Sequence, residues 1–229
     1  MLFNTHVRIG STLHEEIARR EGVIVPRQAF LYGHIKPDLE RKGEKDRHIF
    51  SITQEWTRDL AGRIIGRSMH SERDPKGDAI LLGELCHHIC DAFCRYHYDT
   101  KLYTDFKRHF VYEVGLHTRY LRLNTYGVFQ SHRDEARRKK PDSVEVDSRV
   151  TLSELDCFLK TRLAAYGEME PSFDLDIRFA LSASQRVVEL MCPYLVRSIL
   201  EDQEPVNLGF SMERGTLAAP DLISWRDAI

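Results

Sequence analysis

Five residues between positions 87 and 113 have the types and the spacing that bind a metal ion. His87 and Asp91 are four residues apart, as are His109 and Glu113, and His97 lies between the two pairs. Because residues four apart share one face of an α-helix, each pair predicts two ligands side by side. Imidazole nitrogens and carboxylate oxygens suit zinc, or failing that manganese or iron(II), and such a site needs no cysteine.

His97 can join Asp91 only if the helix ends between the two pairs. It follows Asp91 by six residues, which is about 240° around a straight helix. We expect the chain to bend at residues Tyr98 to Thr100. The ligands would then come from two helices and the link between them.

Other interpretations of these motifs need residues that the chain lacks. A single pair of this kind is common on a helix surface, so the interpretation rests on the tandem arrangement. Glu84 and His87 form an ExxH motif, as in di-iron carboxylate bundles, but those bundles need a second ExxH and two more glutamates. The sequence has no second ExxH, and it has no adjacent His-Asp pair for an HD-type phosphohydrolase.

Composition predicts an ordinary globular protein. The chain has 229 residues, of which 42% are hydrophobic and 30% charged, and its net charge is -2. This charge gives no global attraction to nucleic acid or to an anionic membrane, so such a partner needs a local patch. We find neither a secretory signal nor 18 consecutive apolar residues, and we therefore expect a cytoplasmic protein.

The five cysteines fit a reducing compartment better than a disulfide scaffold. Cys86, Cys90 and Cys94 recur every four residues on the helix of the first ligand pair, rotated from that pair by about 100°. Three thiols on one stripe do not close easily around one ion. We expect them to be small core residues.

Helical periodicity covers most of the chain and predicts an all-α bundle. The predicted helices span 7–17, 51–66, 77–96, 101–123, 152–166 and 173–200. Pro193 should kink or end the last one. We expect a single domain with a metal-ligand region at about 1–121 and a polar insertion at about 124–150. The C-terminal helices, 151–229, show no ligand constellation and should complete the bundle or form a dimer interface.

Further candidate ligands precede these motifs. His6 lies at the start of the first helix, and His34, Asp38 and His48 lie in a long loop. The ordered set resembles the zinc-dependent phospholipase C family, helical bacterial phosphodiesterases related to the P1 nucleases. The resemblance covers roughly residues 5–117 and is carried by His6, Asp38, His48, His87, Asp91, His97, His109 and Glu113.

The resemblance implies a cluster of two or three zinc ions at the bottom of a cleft. The positions that match one ion are Asp38, His48, His87 and Asp91, with His34 as a rival to His48. The positions that match a second ion are His97, His109 and Glu113. The third ion would use His6, Asp91 and the amine and carbonyl of Met1, and whether this site is filled is left open.

The implied chemistry is hydrolysis of a phosphodiester. Zinc lowers the pKa of a bound water from about 15.7 toward about 7, which gives hydroxide for in-line attack on phosphorus. The resemblance further implies that Asp38 orients or deprotonates this water.

The substrate stays open at this stage. A phospholipid needs an apolar rim, whereas a single-strand nuclease needs stacking platforms and a basic track such as residues 132–140. This basic run also carries two acids and equally fits a solvated insertion. A soluble phosphodiester is a further candidate, and so is a protein that binds metal for structure alone. The sequence does not predict the oligomeric state.

Overall fold

The computed structural model describes residues 1–21, 25–40, 50–69, 74–123 and 147–200. Over these residues the protein is all-α, with ten helices and no strand, which confirms the predicted fold class. The helices in chain order are α1 (Phe3–Glu21), α2 (Arg27–Gly33), α3 (Lys36–Leu39), α4 (Phe50–Ser68), α5 (Pro75–Ala92), α6 (Arg95–Tyr98), α7 (Thr100–Tyr103), α8 (Phe106–Arg122), α9 (Ser148–Gly167) and α10 (Phe173–Leu200).

The predicted helix 77–96 is two helices in the structure. α5 ends at Ala92, and Cys94 has extended backbone angles before α6 begins at Arg95. The carboxylate of Asp176 on α10 accepts a hydrogen bond of 2.9 Å from the Arg95 amide, so it satisfies a donor at the start of α6. Local spacing could not reveal this break, because the group that caps α6 is distant in sequence.

The bend expected between Tyr98 and Thr100 is present, but it is the second interruption of the helix. Asp99 is extended and separates α6 from α7. A third break follows at Asp105, whose side chain accepts a hydrogen bond from the Arg108 amide and caps α8. His97 therefore lies on the short helix α6, and not on a continuation of α5.

Two further boundaries differ from the sequence prediction. α10 runs through Pro193 to Leu200, so the proline does not end the helix. α9 begins at Ser148, inside the range predicted as a polar insertion, because Asp147 accepts a hydrogen bond from the Arg149 amide and caps it. Residues 124–146 of that insertion, and the predicted C-terminal segment beyond Leu200, lie outside the described residues.

α5 is the central helix, and it packs against α2, α4 and α10. Most of its side chains are buried, as expected for a helix that is covered on several sides. Cys86, Cys90 and Cys192 belong to this core, in agreement with the expectation that the α5 cysteines are small core residues. None of the described helices combines the length and the apolarity needed to cross a membrane.

Two glycines let α2 approach α5 very closely. A Cβ atom on Gly33 would lie 2.1 Å from the carbonyl oxygen of Ile80, and one on Gly83 would lie 2.2 Å from that of Phe30. Backbone cannot move aside as a flexible side chain can, so only hydrogen fits at these positions. This contact sets His34, which directly follows α2, beside His87 on α5.

Candidate metal centre

The carboxylate of Asp91 is the centre of a buried polar cluster. Its Oδ1 lies 2.6 Å from the Met1 amine and 3.1 Å from Nε2 of His6. Its Oδ2 lies 3.3 Å from Nε2 of His87 and 3.5 Å from Nδ1 of His97. Burial alone would raise the pKa of Asp91, but these neighbours, His97 first among them, hold it well below its usual value. Asp91 is therefore a carboxylate.

We define the Asp91 cluster as Asp91 together with two groups of candidate ligands, which we call its outer and inner ends. The outer end comprises His97, His109 and Glu113, and the inner end comprises His6, His34 and His87. The amine of Met1 lies between the two ends, because it contacts both Asp91 and Glu113.

At the outer end three ligand atoms almost touch. Oε1 of Glu113 lies 2.9 Å from Nε2 of His97 and 2.9 Å from Nε2 of His109, and the two nitrogens are 3.0 Å apart. Tetrahedral zinc with bonds of 2.0 to 2.1 Å sets its ligand atoms about 3.3 Å apart. The Glu113 and His109 side chains are 12% and 14% exposed, so this end reaches solvent.

The protonation of the outer end is set by its neighbours. Burial would raise the pKa of Glu113, but the Met1 amine and the two histidines lower it far below the usual value. Burial would lower the pKa of the Met1 amine, yet Asp91 and Glu113 raise it overall. Metal binding by this amine must therefore release a proton.

The inner end is wholly buried. His6, His34 and His87 each offer one ring nitrogen, and these three atoms lie within 4.8 Å of one another. The His6 and His87 rings stack with centroids 4.0 Å apart. Nδ1 of His87 donates to the carbonyl oxygen of His34 at 3.0 Å, which directs Nε2 of His87 toward the cluster.

His6 and His34 carry unsatisfied nitrogens at this end. Neither ring nitrogen of His34, nor Nδ1 of His6, hydrogen-bonds to another of the described residues. Burial and the charge of His87 lower the pKa of His34 to about 3 and that of His6 well below its usual value. Both rings are neutral at physiological pH, with lone pairs available. An unsatisfied buried polar group costs about 1 to 3 kcal/mol, and a metal ligated here removes that cost.

Asp38 and His48 are the remaining predicted ligands, and the structure describes only Asp38. Asp38 lies on α3 and is half-buried, and its negative charge contributes to the raised pKa of both His87 and the Met1 amine. His48 lies outside the described residues, so the choice between His34 and His48 is not decided by distance. The structure does bring His34 to His6 and His87.

Cys94 is a potential ligand that the sequence analysis assigned to the core alone. It is fully buried as expected, but its Sγ also lies within 4.8 Å of a ring nitrogen of His97 and a carboxylate oxygen of Glu113. Burial raises the pKa of this thiol well above its usual value. Its spacing of three residues from both Asp91 and His97 was the available signal.

α10 supports the outer end through Asp176, although the sequence analysis assigned the C-terminal half no chemistry. The buried Asp176 carboxylate accepts hydrogen bonds from the hydroxyls of Tyr166 at 2.6 Å and Tyr112 at 2.9 Å, besides the Arg95 amide. Burial raises the pKa of Asp176. These bonds tie α10 to α6 and α8, the two helices that carry the outer ligands.

The fold and the site together define an all-α protein with a buried histidine and carboxylate cluster suited to divalent cations. A family model described as zinc dependent phospholipase C matches residues 5–169, and the chain belongs to this family. The match confirms the resemblance seen in the sequence and extends it into α9. No curated protein and no solved structure matches the chain.

Proposed function

We propose that this protein is a zinc-dependent hydrolase of phosphodiesters and that the Asp91 cluster is its active site. The observation that carries the proposal is the convergence of histidines from α1, α5 and α6 on the buried Asp91 carboxylate. One of them, His97, also contacts His109 and Glu113 on α8. Membership of the zinc-dependent phospholipase C family supports the same reaction class.

The ligand sets follow from the two ends of the cluster. We assign one ion to the outer end, His97, His109 and Glu113. We assign a second to His87 and Asp91 with Asp38, completed by His34 or by His48. A third ion would take His6, Asp91 and the Met1 amine, so the proposed count is two or three.

The chain's own groups prepare this pocket for a phosphate. When bound, zinc supplies positive charge that holds the phosphate oxygens and lowers the pKa of water toward about 7. Asp91 and Glu113 stay ionised because their pKa values are lowered, and His6, His34 and His97 stay neutral because burial lowers theirs. Asp38 is proposed to orient the attacking water and to accept its proton.

Chelation tests this proposal directly. The purified protein should contain two or three zinc ions per chain by elemental analysis, and it should hydrolyse bis-p-nitrophenyl phosphate or short-chain phosphatidylcholine. Exhaustive chelation should reduce turnover to background, and added zinc should restore it. Single-stranded DNA serves as the comparison substrate, because nuclease binding weakens steeply as salt rises.

The outcomes separate the candidate functions. Zinc-dependent turnover of the phosphatidylcholine but not of DNA supports the phospholipase assignment. Turnover of DNA alone would favour the nuclease. If the protein binds zinc and gains thermal stability from it, yet hydrolyses none of the three substrates, it is a metal-binding protein without catalysis.

A further inference from the structure

α8 exposes an apolar stripe beside the face that carries His109 and Glu113. Phe106, Phe110, Val114 and Leu121 are spaced by four, four and seven residues, which aligns them along one side of the helix. Their exposed fractions are 76%, 52%, 42% and 54%, and Val111 beside them is 69% exposed. Of the eleven exposed large hydrophobic side chains among the described residues, five are on this helix.

The stripe is not the surface by which α8 joins the bundle. That role belongs to Leu116 and Tyr120, which are buried and belong to the core. A helix that covers a core normally presents polar residues on its opposite side. A contiguous exposed apolar patch marks a site of interaction with another apolar surface.

Basic residues accompany the stripe. α8 also exposes Lys107 and Arg122, whereas its Arg108 and Arg119 pair with Asp105 and Asp174. Its one acidic residue, Glu113, faces the Asp91 cluster. The chain as a whole has a net charge of -2, so α8 is a local basic region. Exposed phenylalanines with neighbouring lysine and arginine are typical of helices that lie in the interface of an anionic membrane.

The stripe borders the end of the cluster that reaches solvent. Phe110 directly follows His109, and Val114 directly follows Glu113, so each is about 100° around the helix from an outer ligand. A lipid whose tails remained in a bilayer against this stripe would hold its phosphate close to the outer end.

We propose that the stripe of Phe106, Phe110, Val114 and Leu121, with Lys107 and Arg122, docks on the surface of a phospholipid bilayer that contains anionic lipid. The proposal rests on the proposed function, because docking delivers the phosphodiester to the Asp91 cluster. It also selects the membrane-borne substrate over a soluble one.

Other occupants fit this surface less well. In a two-fold contact between copies of α8, the lysine and arginine side chains of both copies would meet without acidic partners on that helix. Nucleic acid bases stack on aromatic side chains, of which the stripe has two, Phe106 and Phe110. The aliphatic Val111, Val114 and Leu121 that accompany them suit lipid chains better than bases.

Vesicle flotation tests the proposal with the full-length, zinc-loaded protein. The vesicles contain phosphatidylcholine and phosphatidylglycerol in equal parts, with pure phosphatidylcholine as the comparison. The double substitution Phe106→Ser and Phe110→Ser should weaken binding by at least about tenfold, since each ring loses its apolar burial in the interface. Lys107→Glu should weaken binding to the anionic vesicles more than to the neutral ones.

The matched control is the double substitution Val150→Ser and Met169→Ser, which removes two exposed apolar side chains from another part of the chain. It should bind vesicles as the parent does. Zinc content and thermal melting, measured for all variants, establish that each one is folded. Size-exclusion chromatography reports whether the parent self-associates through the stripe.

The other possible results contradict either docking on the bilayer or phosphodiester hydrolysis, and the two can be told apart. Unchanged flotation of the phenylalanine variant, no flotation of the parent, or a parent dimer that the variant disrupts would overturn the docking surface. If the parent hydrolyses bis-p-nitrophenyl phosphate but does not float, docking fails and the hydrolase stands. If flotation depends on the phenylalanines but no phosphodiester is hydrolysed, the hydrolase fails and docking stands.

Discussion

The two ends of the Asp91 cluster differ in how their buried polar atoms find hydrogen-bond partners. At the outer end, His97, His109 and Glu113 satisfy one another through hydrogen bonds of 2.9 to 3.0 Å. At the inner end, His6 and His34 keep ring nitrogens that bond to no other described residue. The outer ligands therefore have hydrogen-bond partners without a metal, whereas His6 and His34 keep ring nitrogens that a metal could bind.

This difference assigns the ends distinct roles. In the proposed function, the outer end, which borders solvent, is where a phosphate would enter. The inner end is enclosed by α1, α2 and α5, so an ion bound there would help to hold these helices together. Asp91 belongs to both ends and couples them.

The largest effect is expected when the shared residue loses its charge. Asp91→Asn keeps the shape of the side chain but removes the anion that four nitrogens surround. We expect zinc affinity to fall at least about a hundredfold at both ends, because loss of even an outer-shell partner costs ten- to a hundredfold. Equilibrium zinc titration with a competing chelator measures it.

Asp174→Asn is the control for this substitution, since Asp174 is an exposed carboxylate that pairs with Arg119 at the surface. It should bind zinc as the parent does. If Asp91→Asn bound the full complement of zinc at parental affinity, Asp91 would not bridge the two ends.

A smaller effect is expected when one histidine is substituted at either end, and the stability of the metal-free protein should then distinguish the two ends. His34→Leu should lower zinc binding while leaving the metal-free protein equally stable or more stable by about 1 kcal/mol, because an unsatisfied polar group is replaced by an apolar one. His97→Leu should lower zinc binding and also destabilise the metal-free protein, because His109 and Glu113 lose a partner. Thermal melts with and without chelator measure both quantities.

His14→Leu is the control for the histidine pair. Nε2 of His14 donates to the carbonyl of Val25 and lies outside the cluster, so zinc binding should not change. Unaltered zinc binding by His34→Leu would remove His34 from the ligand set and leave its place to His48.

The smallest effect on zinc binding is expected from Asp176, which supports the outer end without being one of its ligands. Asp176→Asn removes one of the acceptors that bind Tyr112, Tyr166 and the Arg95 amide. We expect a loss of about 1 to 3 kcal/mol of stability. Zinc binding should weaken at the outer end and stay unchanged at the inner end.

Cobalt substitution can report on the ends separately, since the visible absorption of Co²⁺ depends on its ligands. Equal perturbation of both ends by Asp176→Asn would mean that α10 supports the cluster as a whole. The neighbouring Asp174→Asn again serves as the control, with little change expected for an exposed ion pair.

The sequence predicted the helical class and the ligand pairs because both depend on local spacing. His87 with Asp91, and His109 with Glu113, are visible as residues four apart, and the structure brings each pair together. The position of His97 was predicted through a helix break whose location was only partly right. The break that the spacing did not predict lies between α5 and α6, where Asp176 accepts a hydrogen bond from the Arg95 amide 81 residues away.

The rest of the site depended on contacts that spacing does not encode. His34 joins the inner end because Gly33 and Gly83 let α2 lie against α5. Hydrophobic periodicity in the sequence does not predict such a close contact between two helices. Cys94 was placed in the core by its regular spacing from two other cysteines, and the interruption after α5 turns it toward His97 and Glu113.

The complete enclosure of the inner histidines also has a kinetic consequence. His6, His34 and His87 have no exposed surface, so an ion held among them can exchange with solvent only when the surrounding helices separate. Its residence time is then governed by local unfolding of the protein and only secondarily by the strength of the coordination bonds. The chain would acquire such an ion as it folds and retain it for as long as these helices stay packed together.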